Sequence, residues 1–319
     1  MKFVYFGAFG RPYDTERYIA DSLEALGHEV ERVHLNTTRY EALLRKVEHP
    51  DADVLLFSKG NYRCNFEHLK EAMHKSSAIK AGWYFDLLWG TNREIAITTN
   101  PIFATDIFFS TDGGHDKEWL EHGVNHKLLR QGIFEPEAVM GTPREKFKYD
   151  VVFVGSTEHS SQLGWKHRDE LLSFLHREYG DRFRVFGNDV PIRNMELNDL
   201  YASAKVVVGD SVYAPNYWSN RLYETLGRGG FLIFPEIEGI EHDFTPYRDF
   251  IPYHFFDWKG LRHKIDYYLS HDKERWEIQR SGFEWARAHH TYTQRCQTLV
   301  TELTGMIERK NSLISASSF

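Results

Sequence analysis

The chain has 319 residues, about twice the usual length of a single domain, so two domains are the first expectation. Its residues are 41% hydrophobic and 27% charged, as in an ordinary globular protein. The net charge of −7 excludes a general attraction to polyanions, and two cysteines are too few for a disulfide framework. No run approaches the roughly 20 apolar residues of a membrane span, so we expect a cytoplasmic protein.

The first part of the chain alternates apolar runs with helical patterns. Runs typical of strands occupy residues 3–6, 30–35, 53–57, 81–85, 95–98 and 107–110. Apolar residues at helical spacing occur in 18–26, which ends before Gly27, and in 40–47. This alternation predicts a parallel sheet with helices on both faces.

A second series of the same kind follows the polar, proline-containing stretch 135–148. Its strand patterns are 150–154, 183–186, 204–208 and 230–234, and its helical patterns are 168–179, 197–202 and 219–227. Residues 272–310 are helical in pattern, and a serine-rich tail follows. The sequence therefore predicts an α/β protein with two Rossmann-like domains facing across a cleft, and C-terminal helices packing back toward the first domain. The predicted divisions are 1–140, 141–290 and 291–319, the last being a helix with a flexible tail.

The segment 219–233 carries the clearest chemistry. It places Glu224 within a short helix that is followed by two glycines and an apolar strand. A carboxylate at the edge of an α/β sheet can accept hydrogen bonds from both hydroxyls of a ribose. The amides of Ser219 and Asn220, near the helix start, and the guanidinium of Arg221 suit a diphosphate. An ordinary solvent-facing amphipathic helix is the alternative.

A glycine turn after the strand 150–154 is the second candidate for phosphate binding. Gly155 and Ser156 form a polar turn where backbone amides can approach a phosphate closely. Lys166 and Arg168 follow and could neutralise a departing diphosphate, although they could also be surface charges of a helix.

Three short motifs in order resemble retaining glycosyltransferases of the two-Rossmann-domain (GT-B) kind, most closely the CgeB-like (spore-maturation) group. The first is Phe109-Ser110-Thr111-Asp112 with the later Gln131-Gly132, and the second is Asp150 to Ser156 with Arg168. The third is the pattern Ser-x-Arg-x-x-Glu-x-x-x-x-Gly-Gly, which runs from Ser219 to Gly230. The resemblance is clearest over residues 105–295. It implies transfer of a sugar from a nucleotide-diphosphate sugar as co-substrate, with retention of configuration and no required cofactor.

One position departs from the wider superfamily. Many retaining members have two glutamates eight residues apart; Glu224 fits the second, but Asn216 stands at the first. An amide can still bind a sugar hydroxyl, so the identity of the sugar is open. Nearby aromatic residues, Tyr213, Tyr217 and Trp218, could form a wall for the sugar or the base, or pack in the core.

The acceptor side is predicted in the first domain. Trp83 and Asp86 end a predicted strand, and Asp86 could bind acceptor hydroxyls or take their proton if the reaction inverts. His115, on a glycine turn, is the rival candidate. Acceptor approach is also predicted at the glycine turn of Gly7 and Gly10, and at a basic stretch that starts with Lys59.

Several functions remain open on the sequence alone. No histidine or carboxylate pattern is convincingly placed for a metal, so none is expected. The acceptor could be a glycan, a lipid-linked sugar, a protein or a modified nucleobase of DNA. A non-catalytic nucleotide-sugar binding protein and a two-domain nucleotide-sugar epimerase are the alternatives. A nicotinamide dehydrogenase is disfavoured because the complete dinucleotide fingerprint is missing.

Overall fold

The computed structural model describes residues 1–58, 65–156, 166–187 and 190–317, which form two compact units. Unit 1 combines Met1–Arg130 with Tyr292–Phe319, and unit 2 is Gln131–Thr291. The division falls earlier than the predicted residue 140 because the preceding segment binds unit 2. Asn198 Nδ2 donates to the main-chain oxygens of Glu137, at 2.8 Å, and of Val139, at 2.6 Å.

The described residues form eleven strands and ten α-helices. The strands are β1 (Lys2–Gly7), β2 (Glu29–His34), β3 (Val54–Ser58), β4 (Ile79–Tyr84), β5 (Ile107–Ser110), β6 (His126–Leu128), β7 (Val151–Val154), β8 (Phe183–Phe186), β9 (Val206–Val208), β10 (Leu232–Pro235) and β11 (Ile251–Tyr253). The helices are α1 (Thr15–Ala25), α2 (Tyr40–Glu48), α3 (Phe66–Lys75), α4 (Asp116–Glu121), α5 (Lys166–Tyr179), α6 (Asn194–Ser203), α7 (Arg221–Gly227), α8 (Trp258–Ser270), α9 (Asp272–His289) and α10 (Tyr292–Ser317). None of them combines the length and apolar character needed to cross a bilayer.

Unit 1 contains a parallel sheet in the order β2-β1-β3-β4-β5-β6. Its central strands β1 and β3 are apolar and buried on both faces, as expected for a parallel sheet between two helix layers. The edge strand β2 alternates charged with apolar residues and is partly exposed. The rings of Phe6 and Phe57 stack across β1 and β3, with their centroids 4.8 Å apart.

The predicted strand at 95–98 is wrong. Residues Arg93–Thr98 form a 3₁₀ helix in which Ile97 is buried and Ile95 is 71% exposed. The physical reason is that β4 and β5 pair directly with each other, for example Ala81 with Ile107, so no position in the sheet is left between them.

Of the C-terminal helices predicted to pack back toward the first domain, α10 packs within unit 1, whereas α9 contacts α7 of unit 2. α10 lies against α1, where the rings of Tyr18 and Tyr292 are 6.1 Å apart. Cys296 is fully buried at the same contact. The tail predicted to be flexible is helical up to residue 317, with Ser312 Oγ donating to the carbonyl of Glu308 at 2.9 Å.

Unit 2 contains a second parallel sheet, in the order β11-β10-β9-β7-β8. The central strands β7, β9 and β10 are wholly buried. Because all five strands are parallel, the loops after them meet at one edge of the sheet, where α/β proteins bind ligands. The two sheets confirm the predicted fold class.

Candidate active site

A buried carboxylate organises the carboxyl edge of the unit 2 sheet. Asp210 follows β9 and is 1% exposed. Arg168 of α5 binds it through Nε at 2.6 Å and Nη2 at 3.3 Å, and Arg221 of α7 binds it through Nη1. Among the described residues, these two positive groups share one negative group, so the three side chains together carry a net positive charge. An anion is the ligand that such a cluster favours.

Arg221 is held in one orientation by main-chain oxygens. Its Nε donates to the carbonyl of Val154 at 2.7 Å, and its Nη1 donates to the carbonyl of Asp210 at 2.9 Å. The guanidinium lies over the ring of Phe153, 4.9 Å from the centroid. Nη2 has no hydrogen-bond partner among the residues that the structure describes. It points to the glycine turn, because a Cβ built on Gly155 would lie 2.3 Å from it.

The other residues predicted to bind a diphosphate make hydrogen bonds within the protein. The amide of Gly155 donates to Phe186 O at 2.8 Å, and Ser156 O accepts from Arg168 Nη1 at 3.0 Å. Ser219 donates its amide to Ser211 Oγ at 3.1 Å. Gly155 and Ser219 therefore have no spare amide for a phosphate, contrary to the prediction. The side chain of Lys166 lies outside the described residues.

Glu224 is oriented by a buried arginine. Arg228 Nε donates to one carboxylate oxygen at 2.8 Å, while Asn220 Nδ2 lies 3.4 Å from the other. Arg228 also binds Asn198 Oδ1 at 2.6 Å and the carboxylate of Glu137. Burial lowers the pKa of Arg228, but the two carboxylates outweigh that effect and raise it above its ordinary value.

Part of the Glu224 carboxylate remains available to a ligand. Its side chain is 20% exposed, and its weaker bond is the long one from Asn220. Arg221 and Glu224 are three residues apart on α7, so they lie on the same side of the helix. An anion-binding group and a hydroxyl-binding group thus share one surface.

Asn216, Tyr217 and Trp218 make contacts within the fold of unit 2. Asn216 has a left-handed backbone with φ of 56°, a conformation that asparagine tolerates better than glutamate does. Its amide donates to Glu238 O at 2.8 Å, and its Oδ1 packs against Gly239. Tyr217 is buried, and Trp218 packs in the core and donates to Tyr223 Oη at 2.8 Å.

The carboxyl edge of the unit 1 sheet carries a second group of titratable residues. Glu16 packs on Gly7, and burial raises its pKa to about 7. Asp112, after β5, accepts hydrogen bonds from the amides of Leu88 at 2.6 Å and Trp89 at 3.2 Å. Burial likewise raises the pKa of Asp112 to about 7. The charge of Asp86 contributes to both shifts, so the three carboxylates are electrostatically coupled.

The predicted acceptor residues divide into exposed and buried ones. Asp86 is partly exposed, with Arg93 at 3.7 Å, and the ring of His115 stacks on Trp89 with centroids 5.2 Å apart. Trp83 is fully buried and donates to Leu129 O at 3.0 Å, so it belongs to the core rather than to a ligand surface. Gly10 is exposed, and Lys59 lies outside the described residues.

Four residues that the structure brings into these sites had no predicted role there: Glu16, Asp112, Asp210 and Arg228. Asp112 and Asp210 each follow a buried apolar strand after one intervening residue, which is a signal the sequence carries. Glu16 and Arg228 look like surface helix charges in the sequence, and only their burial distinguishes them. Within the described ranges, no group of histidine, cysteine and acidic residues could hold a metal ion.

Residues 166–301 match the model of a family described as glycosyl transferase-like. No curated protein sequence matches the chain significantly. The matched segment contains Arg168, Asp210, Arg221 and Glu224.

Solved structures of glycosyltransferases superpose on nearly the whole chain. HepE of Anabaena in complex with UDP-glucose gives a TM-score of 0.67 at 12% identity, over 96% of this chain and 100% of that one. An alpha-glucosyltransferase in complex with UDP-glucose and DNA containing an abasic site gives 0.68 at 12% identity, over 95% and 99%. Sucrose-phosphate synthase from Thermosynechococcus elongatus gives 0.64 at 12% identity, over 99% of both chains. At such identities the likeness establishes the GT-B fold. That fold and the family match together define the class of protein as a glycosyltransferase.

Proposed function

We propose that this glycosyltransferase takes its sugar from a nucleoside-diphosphate sugar, binds that donor on unit 2 through Arg221 and Glu224, and retains the configuration of the sugar without a metal ion. The pattern Ser-x-Arg-x-x-Glu also supports membership of the CgeB-like group. HepE and the alpha-glucosyltransferase were solved with UDP-glucose, so a UDP-sugar is the first donor to test. We place the reaction in the cytoplasm.

The proposal rests on Nη2 of Arg221, which has no hydrogen-bond partner among the described residues. Val154 and Asp210 fix the rest of the guanidinium, so this nitrogen meets an anion without further ordering. In a partly buried position, a charged donor that is already oriented binds a diphosphate better than a mobile surface lysine does. The glycine at 155 leaves the space that the anion needs.

Glu224 supplies the other half of donor recognition. The two hydroxyls of a ribose are donors at fixed spacing, and a carboxylate accepts from both. Arg228 holds the carboxylate, so binding does not have to fix its rotamer. Spacing of three residues on α7 puts the ribose and diphosphate contacts on one side of the helix.

Transfer breaks the bond between the anomeric carbon and a phosphate oxygen and forms a bond from that carbon to the acceptor oxygen. The departing oxygen gains negative charge, which Arg221 stabilises most strongly as the bond breaks. The proton of the acceptor hydroxyl passes to the departing diphosphate. Retention therefore needs no protein base, and Asp86 and His115 would serve acceptor binding.

The acceptor we propose is a neutral hydroxyl compound such as a glycan, bound on unit 1. Among the described residues, the carboxyl edge of that sheet combines Glu16, Asp86 and Asp112 with Arg93. Of these carboxylates Asp86 is the exposed one, and it can accept hydrogen bonds from sugar hydroxyls and repel phosphates. The net charge of −7 is also unfavourable for a nucleic-acid acceptor.

The test measures UDP release from UDP-glucose with a panel of glycan, lipid-linked, protein and DNA acceptors, each with and without EDTA. We expect acceptor-dependent release that EDTA does not reduce, and a product whose anomeric configuration by NMR equals that of the donor. Glu224→Gln should lower the rate, whereas Glu284→Gln, an exposed change on α9, should not. Donor binding without turnover would favour a sensor, and acceptor-independent change of the donor would favour an epimerase.

A further inference from the structure

Five aromatic rings at the carboxyl edge of unit 2 form a cluster that the donor contacts above do not use. Tyr213 contacts Phe255 with ring centroids 5.0 Å apart, and Phe255 contacts His167 at 4.9 Å. His167 also contacts Phe256 at 5.1 Å and Trp258 at 5.2 Å. We call these five residues the aromatic cluster.

The outer rings of the aromatic cluster face solvent. Tyr213 is 75% exposed and Phe256 is 50% exposed, so neither contributes much to the hydrophobic core. Phe256 also has a left-handed backbone with φ of 64°, which is unfavourable for a bulky residue. The two exposed rings therefore offer apolar surface to a ligand.

At the base of the cluster, His167 has unused hydrogen-bonding capacity. It is 2% exposed, and neither ring nitrogen has a hydrogen-bond partner among the residues described. Burial lowers the pKa of its imidazole to about 4, so the ring is neutral and offers one donor and one acceptor. The ring of His167 therefore adds no charge to the aromatic cluster.

The aromatic cluster is continuous with the anion site. Tyr213 lies in the same loop as Asp210, which binds Arg221, and His167 directly precedes Arg168. Glu224 lies on the same helix as Arg221 but is held by Arg228 against α6. Asp210 interacts electrostatically with His167 and binds Arg221, so it links the aromatic cluster to the helix that carries Glu224. A nucleoside-diphosphate sugar has its groups in the same order: ribose, diphosphate and sugar.

We propose that the aromatic cluster is the subsite for the transferred sugar, with an apolar C–H face of a neutral pyranose on Tyr213 and Phe256. This proposal rests on the proposed function, because it takes the diphosphate to lie on Arg221. Aromatic rings bind apolar faces, and the cluster carries no charged group that would select a charged sugar. The cluster thus replaces the sugar-binding glutamate whose position Asn216 occupies.

The test compares the dissociation constants of UDP and UDP-glucose by calorimetry for the full chain and its variants. Tyr213→Ala and Phe256→Ala should each weaken UDP-glucose binding by about three- to tenfold and leave UDP binding unchanged. Tyr213→Phe should keep the wild-type affinity, since it keeps the ring. Tyr247→Ala is the matched control, an exposed aromatic residue of unit 2 with φ of 62° that lies outside the cluster.

Two binding results for the variants would contradict the proposed sugar subsite. Equal weakening of UDP and UDP-glucose would put the nucleoside, not the sugar, on the aromatic cluster. Unchanged affinity for both ligands would make the cluster a surface feature. If the wild-type chain binds neither ligand, the proposed function itself fails, and the subsite proposal fails with it.

Discussion

Arg221 donates from one nitrogen, Nη1, to both the carboxylate and the main-chain carbonyl of Asp210. That double contact fixes the guanidinium at the edge of the unit 2 sheet and leaves Nη2 beside the glycine turn. An arginine held in this way presents charge to a ligand at a small entropic cost. The proposed donor site therefore depends on an internal ion pair that the sequence does not display.

Asp210 should be essential to stability. Asp210→Ala leaves Arg168 and Arg221 buried without their shared partner, which typically costs about 3–5 kcal/mol. Urea denaturation of wild type and variant measures that loss. The control is Glu277→Ala, which breaks an exposed pair with Lys273 and should change stability by less than about 1 kcal/mol. Equal effects of the two changes would refute the structural role of Asp210.

Gly155 should be required for donor binding because of the space it leaves. In Gly155→Ala, the new Cβ would lie 2.3 Å from Nη2 of Arg221 and 3.0 Å from the ring of Phe153. Since two main-chain oxygens hold Arg221, we expect a shift of the guanidinium and a loss of about tenfold or more in UDP affinity. Overpacking should also cost about 1–3 kcal/mol of stability.

The control for that substitution is Gly305→Ala, in the interior of α10. Alanine stabilises a helix relative to glycine, so this variant should bind UDP normally and gain up to about 1 kcal/mol of stability. Normal UDP affinity in Gly155→Ala would show that the turn does not border the anion site.

The buried acids of unit 1 should make stability depend on pH. The pKa of Glu16 and of Asp112 rises to about 7 on folding, so between about pH 4 and 7 the folded chain binds more protons than the unfolded chain. Their contribution to the free energy of unfolding is therefore highest below pH 4. It falls as pH rises to 7, by about 3 kcal/mol for each group.

Buried histidines have the opposite effect on the free energy of unfolding over the same pH range. Burial lowers the pKa of His126 and His167 to about 4, so their contribution rises with pH. The measurement is therefore the difference in the free energy of unfolding between wild type and Glu16→Gln. Urea denaturation at several pH values from 4.5 to 8 gives this difference. The wild type should lose stability relative to the variant as pH rises. A constant difference would contradict the raised pKa.

The fold could be predicted from the sequence because short stretches of the chain carry the hydrophobic patterns that produce it. Buried parallel strands such as 151–154 are almost wholly apolar, and the charged helical stretches between them cover both faces of each sheet. The error at 95–98 arose because alternating apolar residues there matched a strand, whereas the pairing of β4 with β5 excludes one. Pairing across the sheet is a tertiary property.

The site was predictable only in part. Arg221 and Glu224 stood out because they share a short helix next to a glycine pair. Asp210 did not, because its partner Arg168 lies 42 positions away in the chain and only the fold brings them together. The amides of Gly155 and Ser219 suggested phosphate binding, but sheet and loop hydrogen bonds already occupy them. The spacing of residues along the sequence cannot show that these amides are already hydrogen-bonded within the protein.

The measurement that tests the central claim most directly is a calorimetric titration of the wild-type chain and of Glu224→Ala with UDP in the presence of EDTA. Losing a charged hydrogen-bonding partner costs about 1.5–3 kcal/mol, so the variant should bind about tenfold to a hundredfold more weakly than the wild type. The control Glu284→Ala should bind as the wild type does. Equal UDP affinity in wild type and Glu224→Ala, with both chains folded, would contradict the donor site on α7.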